Sequence, residues 1–427
     1  MATENSRPLP FRVLSRLVLV CPGEGRMLFL ATTYFFLLLF SYYLLRPLRE
    51  AFGIARGADR LPWLMTGTMA VMFLANPAFA ALVARFPRRR FIPMAYRGCA
   101  ATLVGFFLLF RFLPGHGGPA LGYAFYIWLS VFNLFAVSVF WAFMADGLDQ
   151  EQGQRLFSFI AMGGTLGAIA GAGATEYLAR SGFRLDSGLL LLAAALGLEL
   201  AVQCARALAV RFQMGAGCAA DREPGPGLLE GLKLFARSPY LLLMGLYILL
   251  FTITSTFLYL QQGQIVAKAL STPAARTAAF ARIDLWVNVL TLFTQVFWAS
   301  RLIRGLGLGA VLCLMPVITL AGSAALWMMP SLGVLAFVQI LRRGLHYAVD
   351  RPAREVLYIP LGPAERYKAK PFIDTFVYRT GDLLGIWIPG ALAAVALPLG
   401  AVAMVVSGGW LWGGIWLGRL QKRRTGG

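Results

Sequence analysis

The stretch MLFLATTYFFLLLFSYYLLRPLRE, residues 27 to 50, decides the fold class. Its nineteen residues from Met27 to Leu45 include eleven Leu or Phe. At about 1.5 Å per residue, such a run crosses the ~30 Å hydrocarbon core of a bilayer as a helix. It then passes without a polar break into Arg46, Arg49 and Glu50. One arginine at the centre of a span costs about 2.5 to 3.5 kcal/mol, against a gain of about 0.3 to 0.6 kcal/mol for each Leu or Phe. Two readings stay open: the helix stops near Leu45 with the arginines at the outer interface, or it continues through Gly53 and they face a water-filled cavity. Tyr42, Arg46 and Arg49 share one face, at i, i+4 and i+7, which suits the cavity.

Working outward, the same kind of run recurs along the chain. Hydropathy predicts spans near 27 to 49, 62 to 84, 92 to 113, 120 to 145, 156 to 179 and 187 to 210, then 239 to 262, 277 to 301, 306 to 328, 331 to 349, 371 to 395 and 398 to 418. The composition, 59% hydrophobic and 14% charged with mean hydropathy +0.69, leaves no room for a sizeable soluble domain. An all-α polytopic membrane protein of about twelve helices is expected. It comprises an N-terminal lead and six-helix half over 1–210, a cytoplasmic Pro/Gly-bearing linker over 211–238, and a second six-helix half over 239–427. Two halves joined in this way are the architecture of major facilitator transporters. With the N-terminus inside, most of the 39 Lys and Arg fall on the cytoplasmic side, so both termini are expected there. This bias accounts for much of the +20 net charge without nucleic acid. Residues 1 to 26 lead straight into a full-length span and read as a retained lead, not a signal peptide.

Polar residues inside spans are the functional candidates, because the bilayer should exclude them. The eighth span carries Asp284, Asn288, Thr291 and Gln295 down one face, and the seventh carries Thr252, Ser255, Thr256, Tyr259 and Gln262. Such stripes either bond helix to helix or line a pathway. The eleventh span has Asp374, Tyr378, Arg379 and Asp382, with Arg379 and Asp382 able to pair at i, i+3. Gly163, Gly167 and Gly171 form a close-packing face. The five cysteines (Cys21, Cys99, Cys204, Cys218, Cys313) lack paired spacing. The two histidines, His116 and His346, are too separated for a metal site or a catalytic triad. The glycines at 305, 307 and 309 open a hydrophobic span and have no nucleotide-fold context. No cofactor is implied.

Three stretches carry a resemblance: YYLLRPLRE from Tyr42, FWAFMADGLDQEQGQRLFSFIAMGGTLGAIAG from Phe140, and REVLYIPLGPAERYKAKPFIDTFVYRTGD from Arg354. They resemble bacterial members of the ATP/ADP translocase family, the nucleotide transporter branch of the major facilitator superfamily. The resemblance implies exchange of nucleoside triphosphate for diphosphate, or of a related phosphorylated solute, across the inner membrane. It also implies that Arg49 and Arg379, within Leu45-Arg46-Pro47-Leu48-Arg49-Glu50 and Tyr378-Arg379-Thr380-Gly381, replace the family's substrate-binding lysines. Charge is kept, and arginine grips phosphate bidentately. The chain departs from the family in the fourth and seventh spans, where Asn133, Ser138 and the Thr252 to Gln262 stripe stand in place of acidic residues.

The sequence is therefore read as a secondary transporter, not an enzyme. Its expected partners are a small organic anion of the ATP/ADP type or another phosphorylated solute, and the lipid bilayer; it is expected to act as a monomer. The candidate substrate-binding residues are Tyr42, Tyr43, Arg46, Arg49, Arg97, Asn133, Trp141, Gln262, Asp284, Asn288, Tyr378, Arg379 and Asp382. Arg46, Arg49, Arg97 and Arg379 supply positive potential, while Tyr42, Tyr43, Trp141 and Tyr378 offer stacking surfaces. Beside a partner subunit that transports nothing, two alternatives remain at this stage. One is a proton-coupled carrier for a non-nucleotide solute, with Asp284 or Asp382 as the protonated group. The other is an intramembrane enzyme using Asp146, Glu151 and Arg155.

Overall fold

The computed structural model describes residues 24–112, 118–148, 150–180, 187–212, 228–362, 369–370, 372–394 and 398–425. Most of the expected lead and linker, with Cys21, His116 and Cys218, lies outside the described residues. The described chain is helical: α1 Gly25–Gly53, α2 Leu61–Arg85, α3 Arg88–Phe112, α4 Gly118–Gly147, α5 Gln150–Arg180 and α6 Ser187–Arg211 are followed by a short α7, Leu228–Arg237. Then come α8 Pro239–Ala269, α9 Pro273–Phe297, α10 Ala299–Met328, α11 Leu332–Leu345, α12 Arg351–Val356, α13 Tyr378–Ala394 and α14 Leu399–Thr425. Helices satisfy their own backbone polar groups, which is why lipid selects them.

Among the described residues, eight helices are long and apolar enough to cross a membrane: α1, α3, α4, α5, α6, α8, α10 and α14. Three of the other expected spans are those with polar content or an interrupted ladder. Helix α9 carries Asp284, Asn288 and Gln295. A π-helical turn, His346–Asp350, separates α11 from α12, and a second, Ile373–Val377, leads into α13. Such turns recur at functional sites because they displace side chains from α-helical register.

By contacts the chain forms two compact units, Met1–Arg49 with Ala70–Arg222, and Glu50–Met69 with Glu223–Gly427. In the first, α5 lies against α1 through glycines. A methyl group at Gly167 would fall on the Phe36 carbonyl, and at Gly163 and Gly171 on the backbones of Thr32 and Phe40. Thr175 adds a 2.8 Å hydrogen bond to the Leu44 carbonyl. Without a hydrophobic force between helices in lipid, close backbone approach and such bonds hold the pair. The buried hydroxyls of Tyr34 and Tyr96 bond to each other at 3.1 Å, and Tyr96 donates onward to the Ala136 carbonyl at 2.9 Å.

In the second unit, α8 begins at a Ser-Pro cap: the Ser238 hydroxyl accepts from the Leu241 amide, and Pro239 occupies the first turn, where no donor is needed. Helix α9 repeats the device with Thr272 and Pro273. Gly381 and Gly385 let α13 close onto the Leu249 and Ile253 carbonyls of α8. Gly418 of α14 faces Gly309 of α10, and Gly307 breaks α10 with φ 76°. Chain order would place 50–69 with the first half. They group with the second unit because Ala51, Ile54 and Leu61 pack with Leu258, Leu260, Val266 and Phe280.

Candidate functional site

Helix α1 does not stop at Leu45; it runs through Pro47 to Gly53. Pro47 removes one backbone donor from that turn. Arg46 and Arg49 are both half-buried there. The Arg46 guanidinium lies 5.4 Å from the Tyr43 ring centre, and Tyr43 meets Tyr42 edge-on at 5.2 Å. Arg49 lies 4.8 Å from the Tyr126 ring centre and donates to the Ser130 hydroxyl at 3.0 Å. Aromatic faces offer these cations a partial replacement for water. Tyr126, Ser130 and Asn133 follow one another at i, i+4 and i+7, so half-buried Asn133 falls on the α4 face that Arg49 approaches.

The other candidates of the first unit stand apart from this group. Trp141 packs among Phe35, Phe140 and Phe157, with ring centres 5.2 to 5.5 Å away. Arg97 is exposed, and its fork is held by Glu199 of α6 at 2.7 and 2.9 Å.

In the second unit the α9 stripe faces α11. Asp284, 2% exposed, pairs with Arg343 at 2.7 Å, and Thr291 lies 3.3 Å from the Gly344 carbonyl. The Asn288 amide turns back to the Asp284 carbonyl at 2.7 Å, and Gln295 is exposed. On α13, Arg379 and Asp382 pair at 3.3 Å, as their spacing predicts. Tyr378 is half-buried, its ring 6.4 Å from Phe251. Gln262 is buried near the end of the α8 stripe. One turn earlier, the Tyr259 hydroxyl donates to buried Glu50 at 2.6 Å.

A further group surrounds Phe251. His346 stacks on the ring at 4.4 Å, and the guanidinium groups of Arg354 and Arg342 lie 4.9 and 5.7 Å from its centre. Asp350, 1% exposed, is 2.9 Å from His346 Nδ1 and 3.3 Å from Arg354, and Tyr247 directs its hydroxyl toward it at 3.1 Å. The sequence reading did not pick out this column. Its signal was available: residues 342, 346, 350 and 354 are Arg, His, Asp and Arg at a constant interval of four.

No family model matches the chain. A stretch of 200 residues, 42% of this chain, is 23% identical to ADP,ATP carrier protein 1 of Chlamydia trachomatis serovar D. It is 24% identical to the protein of the same name from Chlamydia muridarum. The match spans 38% of each carrier's length. Among solved structures, a peptide transporter in complex with alafosfalin aligns over 96% of this chain and 99% of its own, with TM-score 0.65 and 14% identity. An auto-inhibited POT family peptide transporter aligns over 94% of this chain and 97% of its own, with TM-score 0.62 and 14% identity. A nucleoside transporter aligns over 93% and 99%, with TM-score 0.59 and 13% identity. The chain is an all-helical, multi-pass membrane protein with the fold of these transporters. That is the major facilitator-like fold expected from its hydropathy.

Proposed function

We propose that this protein is a secondary transporter that carries an organic anion, an ATP/ADP-type nucleotide or another phosphorylated solute, by alternating access. The observation that carries the reading is the pair of half-buried arginines, Arg46 and Arg49, held beside aromatic rings within a continuous membrane helix. Cations are costly at such depth and mark solute pathways. Arg379 adds a half-buried guanidinium in the second unit. The partial similarity to two ADP,ATP carriers supports a nucleotide as the solute. Nucleotide would then be bound as cargo, without hydrolysis. We place the protein in a bacterial inner membrane with both termini cytoplasmic, acting as a monomer. Reporter fusions at residue 427 and within 211–238 should both register inside.

The test is counterflow in proteoliposomes loaded with unlabelled ADP or phosphate. Labelled ATP, ADP, another phosphorylated metabolite or inorganic phosphate should accumulate transiently. If none does, the anion reading fails.

Carboxylates paired with arginine, buried Asp284 with Arg343 and half-buried Asp382 with Arg379, favour one second reading, a proton-coupled carrier. Uptake that follows a proton gradient and needs no internal counter-substrate would select it.

A further inference from the structure

Arg342 lies in the last turn of α11 and is 5% exposed. Among the described residues its side chain has one hydrogen bond, from Nη1 to the Ser255 hydroxyl at 3.0 Å, and its buried Nε meets no acceptor. Among the described residues no carboxylate is within ion-pairing distance of it. The acids on either side are already engaged: Asp284 with Arg343, and Asp350 with His346 and Arg354. His346 aside, these side chains are three guanidinium groups and two carboxylates. A buried cation without a counter-charge is among the least favourable arrangements a protein interior can hold, and more so at membrane depth.

We propose that Arg342, buried beside Phe251 and Ser255 without an acidic partner, is an anion-binding residue of the second unit that receives an oxyanion of the transported solute. The inference rests on the anion-transport reading and adds to it the group that meets the phosphate or carboxylate in this unit. The unused donors of the guanidinium form a planar fork, which matches two oxygens of a phosphate or carboxylate. Phe251 gives the fork a flat apolar bed. Arg354, over the same ring and already bound to Asp350, raises the local positive potential without competing for the ligand. Ser255 fixes one edge of the fork, leaving its remaining donors for the oxyanion.

The test uses purified full-length protein in detergent and reads the thermal-unfolding midpoint with ADP, pyrophosphate or inorganic phosphate, and with adenosine as the uncharged control. Wild-type protein should be stabilised by at least one of the anions and not by adenosine. R342M removes the charge while keeping apolar volume. Its ligand-free midpoint should equal or exceed that of wild type, because an uncompensated buried charge has been removed. Protection by the anion should need at least tenfold more ligand. R342K should fold like wild type and show an intermediate loss, because it keeps charge without the fork. A lower ligand-free midpoint for R342M, with R342K protected at wild-type anion concentrations, would make Arg342 structural and overturn the proposal. If phosphatidylglycerol in mixed micelles protects and the soluble anions do not, the site belongs to a lipid and the proposal also fails. Wild-type counterflow of a labelled anion that R342M and R342K both match would overturn the role of Arg342 and leave the transport reading standing. Absence of both counterflow and protection in wild type would overturn the two together.

Discussion

The Tyr259 hydroxyl donates a 2.6 Å hydrogen bond to the buried carboxylate of Glu50, joining the last turn of α1 to α8 within the second unit. Tyr259→Phe takes a donor from a buried acid and should lower stability by about 1 to 3 kcal/mol. Glu50→Gln can still accept the bond and should lose less. Thermal unfolding in detergent reads both, and equal midpoints for Tyr259→Phe and wild type would show that this bond contributes nothing.

The glycine face of α5 predicts a steep steric penalty. Gly167→Ala should destabilise by about 1 to 3 kcal/mol, because its methyl would meet the Phe36 carbonyl and the helices must part. Gly98→Ala, whose Cβ would meet nothing within 4 Å, should be neutral or stabilising by up to about 1 kcal/mol. Size-exclusion yield and unfolding temperature of the two variants should diverge in that order.

The proposed anion pathway predicts that Arg49→Ala and Arg379→Ala each reduce labelled-anion counterflow at least about 30-fold. That factor corresponds to the roughly 2 kcal/mol at the low end for truncating a charged, hydrogen-bonded partner. Lysine at either position should retain partial activity, since it keeps charge and loses the bidentate fork. Normal transport by both alanine variants, at matched protein levels, would place these arginines outside the pathway.

Buried Asp284 and half-buried Arg343 should behave as a unit. Asp284→Leu alone leaves half-buried Arg343 without its carboxylate and should cost about 3 to 5 kcal/mol. Adding Arg343→Met should recover most of that loss, so a double-mutant cycle should give a large coupling. Additive effects would mean that the 2.7 Å contact carries no energetic coupling.

The fold was legible because the bilayer imposes one strong rule, a long apolar helix, and the runs beginning at Met27, Tyr240 and Leu399 obey it. Allegiance of segments was less legible. Residues 50–69 follow the first span, yet Ile54 and Leu61 find their apolar neighbours on α8, and chain order does not encode that. At the candidate site, Arg46 and Arg49 stood out against an otherwise apolar helix. The partner of Asp284 did not, because spacing along one helix says which side chains share a face and nothing of the helix opposite. Arg342 was hidden for a related reason: it lies inside the expected span 331 to 349, but its burial against Phe251 and Ser255 depends on α8, which hydropathy along its own helix does not show.

The π-helical turn at His346–Asp350 changes how a four-residue interval maps onto space. In a regular α-helix each step of four overshoots a full turn by about 40°, so three steps carry a side chain about 120° around the axis. The wider turn absorbs part of that rotation. Arg342, His346 and Arg354 therefore reach the same Phe251 ring although twelve positions separate the first from the last. Rewinding the segment as ordinary α-helix without changing its length would carry Arg354 about 120° around the axis from Arg342. The unit would keep its charges and lose their alignment.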